Sequence, residues 1–428
     1  MKRRTMGAVL VAALALGGCD LDMQDPNLPS EDAVLGTPAG IKASAIGLQA
    51  EYSNQIIAPI YVNGLIADEV GAARASFQNY QDLDLGLVPE LDPGLGTSSE
   101  PWIGHYRVVK IANDLIARAP ESGFGEGVVS GIIAMAKLYK AMAFGNLLQI
   151  FESIPIEVGP EHPSPVFVNR AEAVAEVLRL LNEARTQLQQ TPASNQFRTE
   201  ILAPGFDLEN TIDAMIARYA LIAGDYNAAI AAAQRVNPTV LSEFRFSAND
   251  PNPIWNMWYN SGDAYRMRPE QGFRLNAEPG DQRVAYWVVE DSYAGGGNTV
   301  LDNLARYTTS SDPIPVYLPD EMKLIQAEAH ARLNQLPQAR TLVNEVRTQC
   351  QSPVDEPVAC LPARTDAELA TQEAVLAEIR IQRRYELYLQ ALSWEDQRRL
   401  GPAPKYMWMP VPNQECDVNV NAPCHQAP

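Results

Sequence analysis

A segment rich in proline and asparagine, residues 253–260, carries three aromatic side chains, those of Trp255, Trp258 and Tyr259. Flat aromatic rings stack on the apolar C–H faces of pyranose sugars, while nearby asparagine, aspartate or arginine groups bond the hydroxyls. A tryptophan in such a segment either packs inward as a loop anchor or faces a ligand. The residue types leave both interpretations open, and sugar recognition is one chemistry that they support.

More aromatic residues follow at Tyr265 and at the neighbouring pair Tyr286 and Trp287. The alternation in residues 283–289 predicts a strand. Because successive strand side chains point to opposite faces, at most one ring of this pair faces a ligand. The candidate ligand-binding residues of this part of the chain are Trp255, Trp258, Tyr259, Tyr265 and Trp287.

Residue patterns typical of enzymes are missing from the sequence. The 4 histidines form no HExxH pair, and there is neither a GxSxG elbow nor a P-loop. Acidic residues number 52, so an adjacent pair such as Asp68 and Glu69 arises by chance. Glycoside hydrolysis by two carboxylates stays open as an alternative. We predict a protein that is not an enzyme, with no catalytic residues, no metal and no cofactor.

Cys19 predicts a lipid anchor. It ends an apolar run over about residues 6–16 that follows the basic residues 2–4, which is the pattern of a secretory signal. A cysteine at the first mature position is typical of a bacterial lipoprotein, in which the thiol carries diacylglycerol. Residues 1–18 are then the signal peptide, and the acidic, proline-rich residues 19–39 form a flexible tether. The alternative is an ordinary signal peptide with an incidental cysteine.

Four cysteines remain beyond Cys19, an even number that suggests two disulfides in an exported protein. Three pairings are possible. The two local pairs each close a short loop that contains proline, and we favour them over zinc binding because the spacing is not CxxC. These cysteines are Cys350, Cys360, Cys416 and Cys424.

The composition narrows the choice of partners. The chain has 428 residues and a formal net charge of −19, which removal of the signal peptide would make more negative. Nucleic acid and anionic lipid surfaces are poor partners for such a protein by bulk electrostatics. No nucleic acid partner is therefore predicted.

The periodicity of apolar residues indicates a mainly α-helical fold. Helices are predicted at about 40–54, 102–119 and 126–151, and one that is capped by Asn169 reaches about residue 190. The long apolar stretch in the third of these contains Lys137, Lys140 and Asn146, which favours a buried helix over a membrane span.

An internal repeat adds a structural unit to these helices. Residues 217–236 and 327–346 share one register, in which small residues such as Ala229 and Ala339 coincide at a helix crossing. Each copy consists of a helix, a tight turn and a second helix, and this order resembles the tetratricopeptide unit. We predict a tetratricopeptide-like scaffold of helical hairpins in a single domain over 40–428, with a few short strands. Two long irregular insertions, at about 55–101 and 241–318, interrupt it.

The last hundred residues hold a series of motifs in a fixed order and spacing, at 318–329, 339–347, 379–389, 394–401, 409–414 and 419–421. Together with the lipidated start and the helix 126–151, they resemble the SusD/RagB family of outer-membrane lipoproteins. The charged helix there departs from the family at Gln382 and Gln390, where acidic residues are usual, and at Ser393, where arginine is usual. We interpret this helix as structural, with a buried stripe made by Ile381, Tyr385, Tyr388 and Leu392.

The resemblance implies a binding protein on the cell surface. Family members are anchored by lipid to the outer membrane, face the cell exterior, and cap a TonB-dependent, SusC-like transporter. They capture oligosaccharides, or in some members peptides, and use no catalytic residues. Part of the pocket often comes from the first insertion, which here offers Asp68, Arg74, Phe77 and Tyr80. A tetratricopeptide-type scaffold that binds only proteins is the alternative.

Overall fold

The computed structural model describes residues 35–73, 78–260, 267–294 and 300–424. Cys19, the signal peptide and residues 19–34 of the tether lie outside the described residues, as do Arg74, Phe77 and Tyr265. The helices are α1 (Pro38–Gln55), α2 (Ile57–Ile66), α3 (Gln78–Leu85), α4 (Gly96–Arg118), α5 (Glu126–Ile150), α6 (Arg170–Gln190), α7 (Asn195–Glu200), α8 (Leu208–Ala223), α9 (Tyr226–Ala233), α10 (Pro253–Trp255), α11 (Gln271–Leu275), α12 (Arg283–Trp287), α13 (Pro319–Arg332), α14 (Leu336–Thr348), α15 (Gln372–Glu386), α16 (Ser393–Leu400) and α17 (Asn413–Val418).

The strands are short and lie in four antiparallel pairs within the described residues. β1 pairs with β5, β2 with β3, β4 with β8, and β6 with β7. Their bounds are β1 (Val70–Ala72), β2 (Ile154–Pro155), β3 (Phe167–Val168), β4 (Glu243–Phe244), β5 (Met267–Pro269), β6 (Val288–Ala294), β7 (Val300–Leu304) and β8 (Ile314–Pro315). The prediction of a mainly helical scaffold with a few short strands is confirmed.

The start of α6 follows directly from the sequence. The side chain of Asn169 accepts a hydrogen bond from the backbone N–H of Glu172 at 3.0 Å. The carboxylate of Glu172 accepts one from the backbone N–H of Asn169 at 3.1 Å. This capping box satisfies two donors that a helix start would otherwise leave unpaired. The predicted cap at Asn169 and helix end near residue 190 are confirmed.

Both copies of the internal repeat form helical hairpins. Gly224, with φ of +77°, ends α8 and turns the chain into α9; Asn334, with φ of +58°, lies in the turn between α13 and α14. Ala229 and Ala339 are fully buried, so the helices of each hairpin approach closely at these small residues. α9 also packs against α13, which makes the two hairpins neighbours although the second insertion separates them in sequence.

Helix α5 is the centre of the core. It packs against α4, α6 and α8, and side chains such as Leu138 and Phe144 are fully buried. A Cβ at Gly145 would lie 1.8 Å from the hydroxyl oxygen of Tyr219, so only glycine permits this approach of α8. Among the described helices, α5 is long and apolar enough to cross a membrane, but 72% of its apolar window is buried inside the protein. It is a core helix, as predicted.

Three predictions of local structure are wrong. The first insertion is not irregular, because α2 and α3 occupy much of it. Residues 283–287 form α12 instead of a strand: Asp281 accepts a hydrogen bond from the backbone N–H of Arg283, whose side chain is buried in ion pairs with Asp281 and Glu386. Ile381 does not belong to the buried stripe, since its side chain is 37% exposed.

Two disulfides lie in the described chain. Cys350 pairs with Cys360, with a Cα–Cα distance of 4.3 Å. Cys416 pairs with Cys424, with a Cα–Cα distance of 5.7 Å. These are the two local pairs that short, proline-containing loops favour.

Candidate functional site

The two insertions meet in a small sheet. β1 comes from the first insertion and β5 from the second, and they pair in a register that sets Val70 against Pro269 and Ala72 against Met267. A further bridge between Glu270 and Leu301 joins the end of β5 to β7. We name the region formed by β1, β5, β6, β7 and residues 253–260 the insertion face; the residues of β1 and β5 within it are buried.

The aromatic segment 253–260 on this face is held by one buried side chain. The Asn252 carboxamide oxygen accepts hydrogen bonds from the backbone N–H groups of Ile254 and Trp255 at 2.8 and 3.0 Å. Its amide nitrogen donates to the carbonyl of Asp312 at 2.7 Å. This cap starts α10, which continues as a π-helical turn over Asn256–Asn260. Such turns are frequent at functional sites.

The helical turn divides the three aromatic residues between two sides. Trp255 and Tyr259 are half-buried and four residues apart, so they lie on the same side of the turn. The hydroxyl of Tyr259 donates to Asn303 of β7 at 3.4 Å. Trp258 is fully buried in the core, so its prediction as a ligand-binding residue is wrong: its ring is a loop anchor.

Trp287 is also a packing residue. Its side chain is 1% exposed, and its indole N–H donates to the carbonyl of Tyr385 at 2.9 Å. The prediction that Trp287 faces a ligand is therefore wrong. Tyr286 is the more exposed ring of the pair, and the guanidinium of Arg306 lies 4.4 Å from its centre.

A charged network fixes a further aromatic ring that the sequence did not single out. The guanidinium of Arg268, which is buried, donates to the Asp302 carbonyl at 3.0 Å and to the Asp291 carboxylate at 2.6 Å. It also lies 4.5 Å from the centre of the half-buried ring of Tyr293. Arg274 pairs with the buried carboxylate of Asp302 at 2.8 Å. The alternating β6 residues carried no signal that marks Tyr293.

The first insertion offers fewer candidate ligand-binding residues than predicted. Tyr80 is buried edge to face against Tyr61, with ring centres 5.3 Å apart, so its prediction as a ligand-binding residue is wrong. Asp68 is half-buried, and its carboxylate pairs with the ammonium of Lys405 at 2.5 Å. Of the predicted residues that the structure describes, Asp68, Trp255 and Tyr259 remain as candidates.

Carboxylates of Asp68, Asp84 and Glu270 form an acidic cluster beside β1, with oxygens within 4.8 Å of one another. Burial raises the pKa of Glu270 to about 7 and also raises that of Asp84. The backbone N–H of Ala72 donates to Asp84 at 2.8 Å, which ties the cluster to β1. The Lys405 ammonium already supplies a cation there, so the cluster acts as an ion-pair tie between β1, α3 and the C-terminal segment.

The family match lies in the C-terminal sequence. Residues 302–426 match the sequence model of the SusD family. This part of the chain belongs to the SusD family. The fold of the chain matches that of a SusD superfamily protein from Bacteroides thetaiotaomicron, with a TM-score of 0.68 and 15% sequence identity over 90% of this chain and 98% of that chain. Among curated proteins, none matches the chain.

Two other solved structures of the SusD type share this fold. A SusD-like protein from Bacteroides fragilis has a TM-score of 0.70 and 14% identity, covering 92% of this chain and 97% of that chain. A SusD-like carbohydrate binding protein from Bacteroides vulgatus has a TM-score of 0.62 and 15% identity, covering 83% and 82% of the two chains.

The charged motif of the SusD family is a structural frame in this protein. Arg383 pairs with Asp396 at 2.7 Å, which joins α15 to α16. Arg399 pairs with the buried carboxylate of Glu328 at 2.7 Å, which joins α16 to α13. Glu395 pairs with Arg398 of the same helix at 2.9 Å. The motif therefore holds the C-terminal helices against the second hairpin.

Proposed function

We propose that this protein is a lipid-anchored, surface-exposed SusD-family protein of the outer membrane that binds an oligosaccharide on its insertion face. It delivers the sugar to a SusC-like, TonB-dependent transporter, and it is not an enzyme. The observation that carries this proposal is the pairing of β1 with β5, which gathers both insertions around half-buried aromatic rings. The SusD-like carbohydrate binding protein of Bacteroides vulgatus supports the choice of ligand.

The insertion face has the parts that sugar binding needs. Trp255, Tyr259 and Tyr293 are half-buried, so each is anchored at one edge and accessible at another. Anchored rings bind with little loss of conformational entropy. Asn303 and Asp291 lie beside these rings and offer hydrogen-bonding groups for hydroxyls.

The charged groups of the insertion face support binding over hydrolysis. Glycoside hydrolysis needs one carboxylic acid and one carboxylate that flank the bond to be cut. Asp291 pairs with Arg268, and Asp302 pairs with Arg274. Both carboxylates are thus held in ion pairs by guanidinium groups and are not free to flank a bond of the sugar.

A binding screen tests the ligand. The soluble chain without residues 1–34 is applied to arrays of oligosaccharides and of peptides, and bound protein is detected. We expect binding to a subset of oligosaccharides and no release of reducing ends from them. Binding to peptides alone would favour the peptide alternative, and binding to protein partners alone would favour a tetratricopeptide-type scaffold.

Co-purification tests the transporter. The lipidated full chain is extracted in a mild detergent from the native membrane. We expect a large outer-membrane barrel protein to co-purify, and a Cys19→Ala variant, which cannot be lipidated, to be lost from the membrane fraction. Purification of the lipidated chain without any barrel protein would contradict the proposed partner.

A further inference from the structure

A second concave site lies apart from the aromatic rings of the insertion face. A cleft of about 420 Å³ is bounded by α15, by α16, by the turn after α11 and by residues 67–69. Its volume is within the range of small-molecule sites. Ser393 lines the cleft, and its hydroxyl donates to the carboxylate of Glu69. The short serine side chain leaves this volume open.

The cleft is lined by three arginines and three acidic residues, and two of the arginines are left without an ion pair in the described part of the chain. Arg380 and Arg384 lie four residues apart on α15, so both guanidinium groups reach the same wall. Arg380 donates to the Gly401 carbonyl at 2.8 Å, and Arg384 to the Asp68 carbonyl at 3.4 Å. Within the described ranges neither arginine has an ion-pair partner, unlike Arg364 of the same cleft, which pairs with Glu278. Two arginines of this kind attract an anion.

The wall also contains polar atoms without partners. Glu69 is 1% exposed, and its Oε2 atom has no hydrogen-bond partner in the described residues. The same holds for Nε of Arg384 and for Oε1 of Gln397, both of which line the cleft. Buried polar groups in folded proteins are nearly always paired. Three polar atoms left unpaired around one cleft therefore point to a polar ligand.

Apolar groups complete the cleft. Ile381 lies between the two arginines on α15 and is 37% exposed, and Pro402 lies in the segment after α16. An exposed isoleucine beside two arginines gives a surface on which C–H groups of a ligand pack. An acid that also carries hydroxyl groups and an apolar face fits these features together.

We propose that this cleft binds an acidic sugar residue, with its carboxylate on Arg380 and Arg384 and its hydroxyls toward Glu69 and Gln397. The carboxylate follows from the two arginines alone. The choice of a sugar over another acid rests on the proposed function. The cleft is then a second sugar site, which selects for charge, while the aromatic rings of the insertion face take sugars of any charge.

Calorimetric titration of the full chain in detergent tests this proposal. The probes are digalacturonate and its neutral counterpart, galactobiose. We expect digalacturonate to bind at least about tenfold more tightly, because a charge-assisted pair with an arginine is worth about this factor. Arg380→Gln and Arg384→Gln each remove about tenfold of the affinity for digalacturonate and leave that for galactobiose unchanged. Arg107→Gln, which removes an exposed arginine paired with Glu51 at 3.1 Å, changes neither.

Several outcomes would overturn the proposal. Equal affinity for the two disaccharides contradicts it, as does an affinity for digalacturonate that Arg380→Gln leaves unchanged. Tighter binding of trialanine with a free carboxylate than of digalacturonate, abolished by C-terminal amidation, assigns the cleft to peptides instead. If the cleft proposal is wrong but the proposed function holds, galactobiose or other neutral sugars still bind, and Trp255→Ala weakens their binding. If the proposed function is wrong, no sugar binds at all.

Discussion

The guanidinium of Arg268 lies 4.5 Å from the centre of the Tyr293 ring. Arg268 belongs to β5 and Tyr293 to β6, so this contact joins two parts of the second insertion through a buried charge. Asp291 and Asp302 hold the guanidinium in place. The ring is therefore positioned before any ligand arrives.

Removal of this arginine is expected to weaken both folding and binding. Arg268→Gln leaves the Asp291 carboxylate and the Asp302 carbonyl without their donor, so the free energy of unfolding should fall by about 1–3 kcal/mol. Oligosaccharide affinity should fall as well, because Tyr293 loses its support. Urea unfolding and calorimetric titration measure the two effects. Arg245→Gln, at an exposed arginine paired with Glu243 at 3.4 Å, is the control, and equal behaviour of the two variants would refute this role.

The tryptophans of the second insertion should separate into two classes. Trp258→Ala and Trp287→Ala each remove a fully buried indole and should lower the free energy of unfolding by about 3–5 kcal/mol. Trp255→Ala removes a half-buried ring and should lower the free energy of unfolding by less than about half of that amount. Chemical unfolding measures the free energy of unfolding of the three variants. A Trp255→Ala variant as unstable as the other two would place Trp255 in the core.

The pKa of Glu69 predicts a pH dependence of stability. Burial raises this pKa from 4.5 to about 7, and the hydrogen bond from Ser393 and the charge of Arg384 only partly offset it, while Asp396 raises it further. The folded state thus holds a proton that the unfolded state releases above pH 4.5. The free energy of unfolding therefore falls as the pH rises from about 4.5 to about 7, by roughly 1–3 kcal/mol for this group.

Glu69→Gln isolates this contribution, because glutamine resembles the protonated acid. We expect the variant to equal the parent protein near pH 5 and to be more stable at pH 8. Glu270 and Glu356, whose pKa values burial also raises to about 7, keep the same dependence in both proteins and cancel in the comparison. A difference between the unfolding midpoints of parent and variant that stays constant from pH 5 to pH 8 would disprove the raised pKa of Glu69.

The disulfide between Cys350 and Cys360 should stabilise the C-terminal half. It closes a loop with a sequence separation of 10. Loops of this size restrict the unfolded chain enough to contribute about 2–3 kcal/mol. Replacement of both cysteines by serine should lower the free energy of unfolding by that amount in the absence of reductant. In dithiothreitol, which also reduces the Cys416–Cys424 disulfide in both proteins, parent and double variant should have the same free energy of unfolding, and a difference between them would point to strain from the substitution instead.

The scaffold of this protein follows from local sequence, whereas the insertion face does not. Asn169 and Glu172 encode a helix start within four residues, and Ala229 and Ala339 mark helix crossings by their size alone. The exposure of an aromatic ring depends on distant residues: Trp258 and Trp255 share one segment, yet only Trp258 is fully buried. Residues 283–287 look like a strand until Asp281 and Glu386 draw Arg283 into the core and favour a helix. Pairing of β1 with β5 joins segments that no spacing rule connects.

Sugar binding at the insertion face is tested most directly with a double variant, Trp255→Ala with Tyr259→Ala. The affinity of an oligosaccharide, chosen by the binding screen, is measured for this variant. Trp408→Ala is the matched control, since Trp408 is half-buried and stacks on Arg398 at 4.2 Å, away from the insertion face. The double variant is expected to lose at least about tenfold in affinity, equal to about 1.4 kcal/mol, while the control binds like the parent. Unchanged affinity in the folded double variant, or an equal loss in the control, would contradict the assignment of sugar binding to the insertion face.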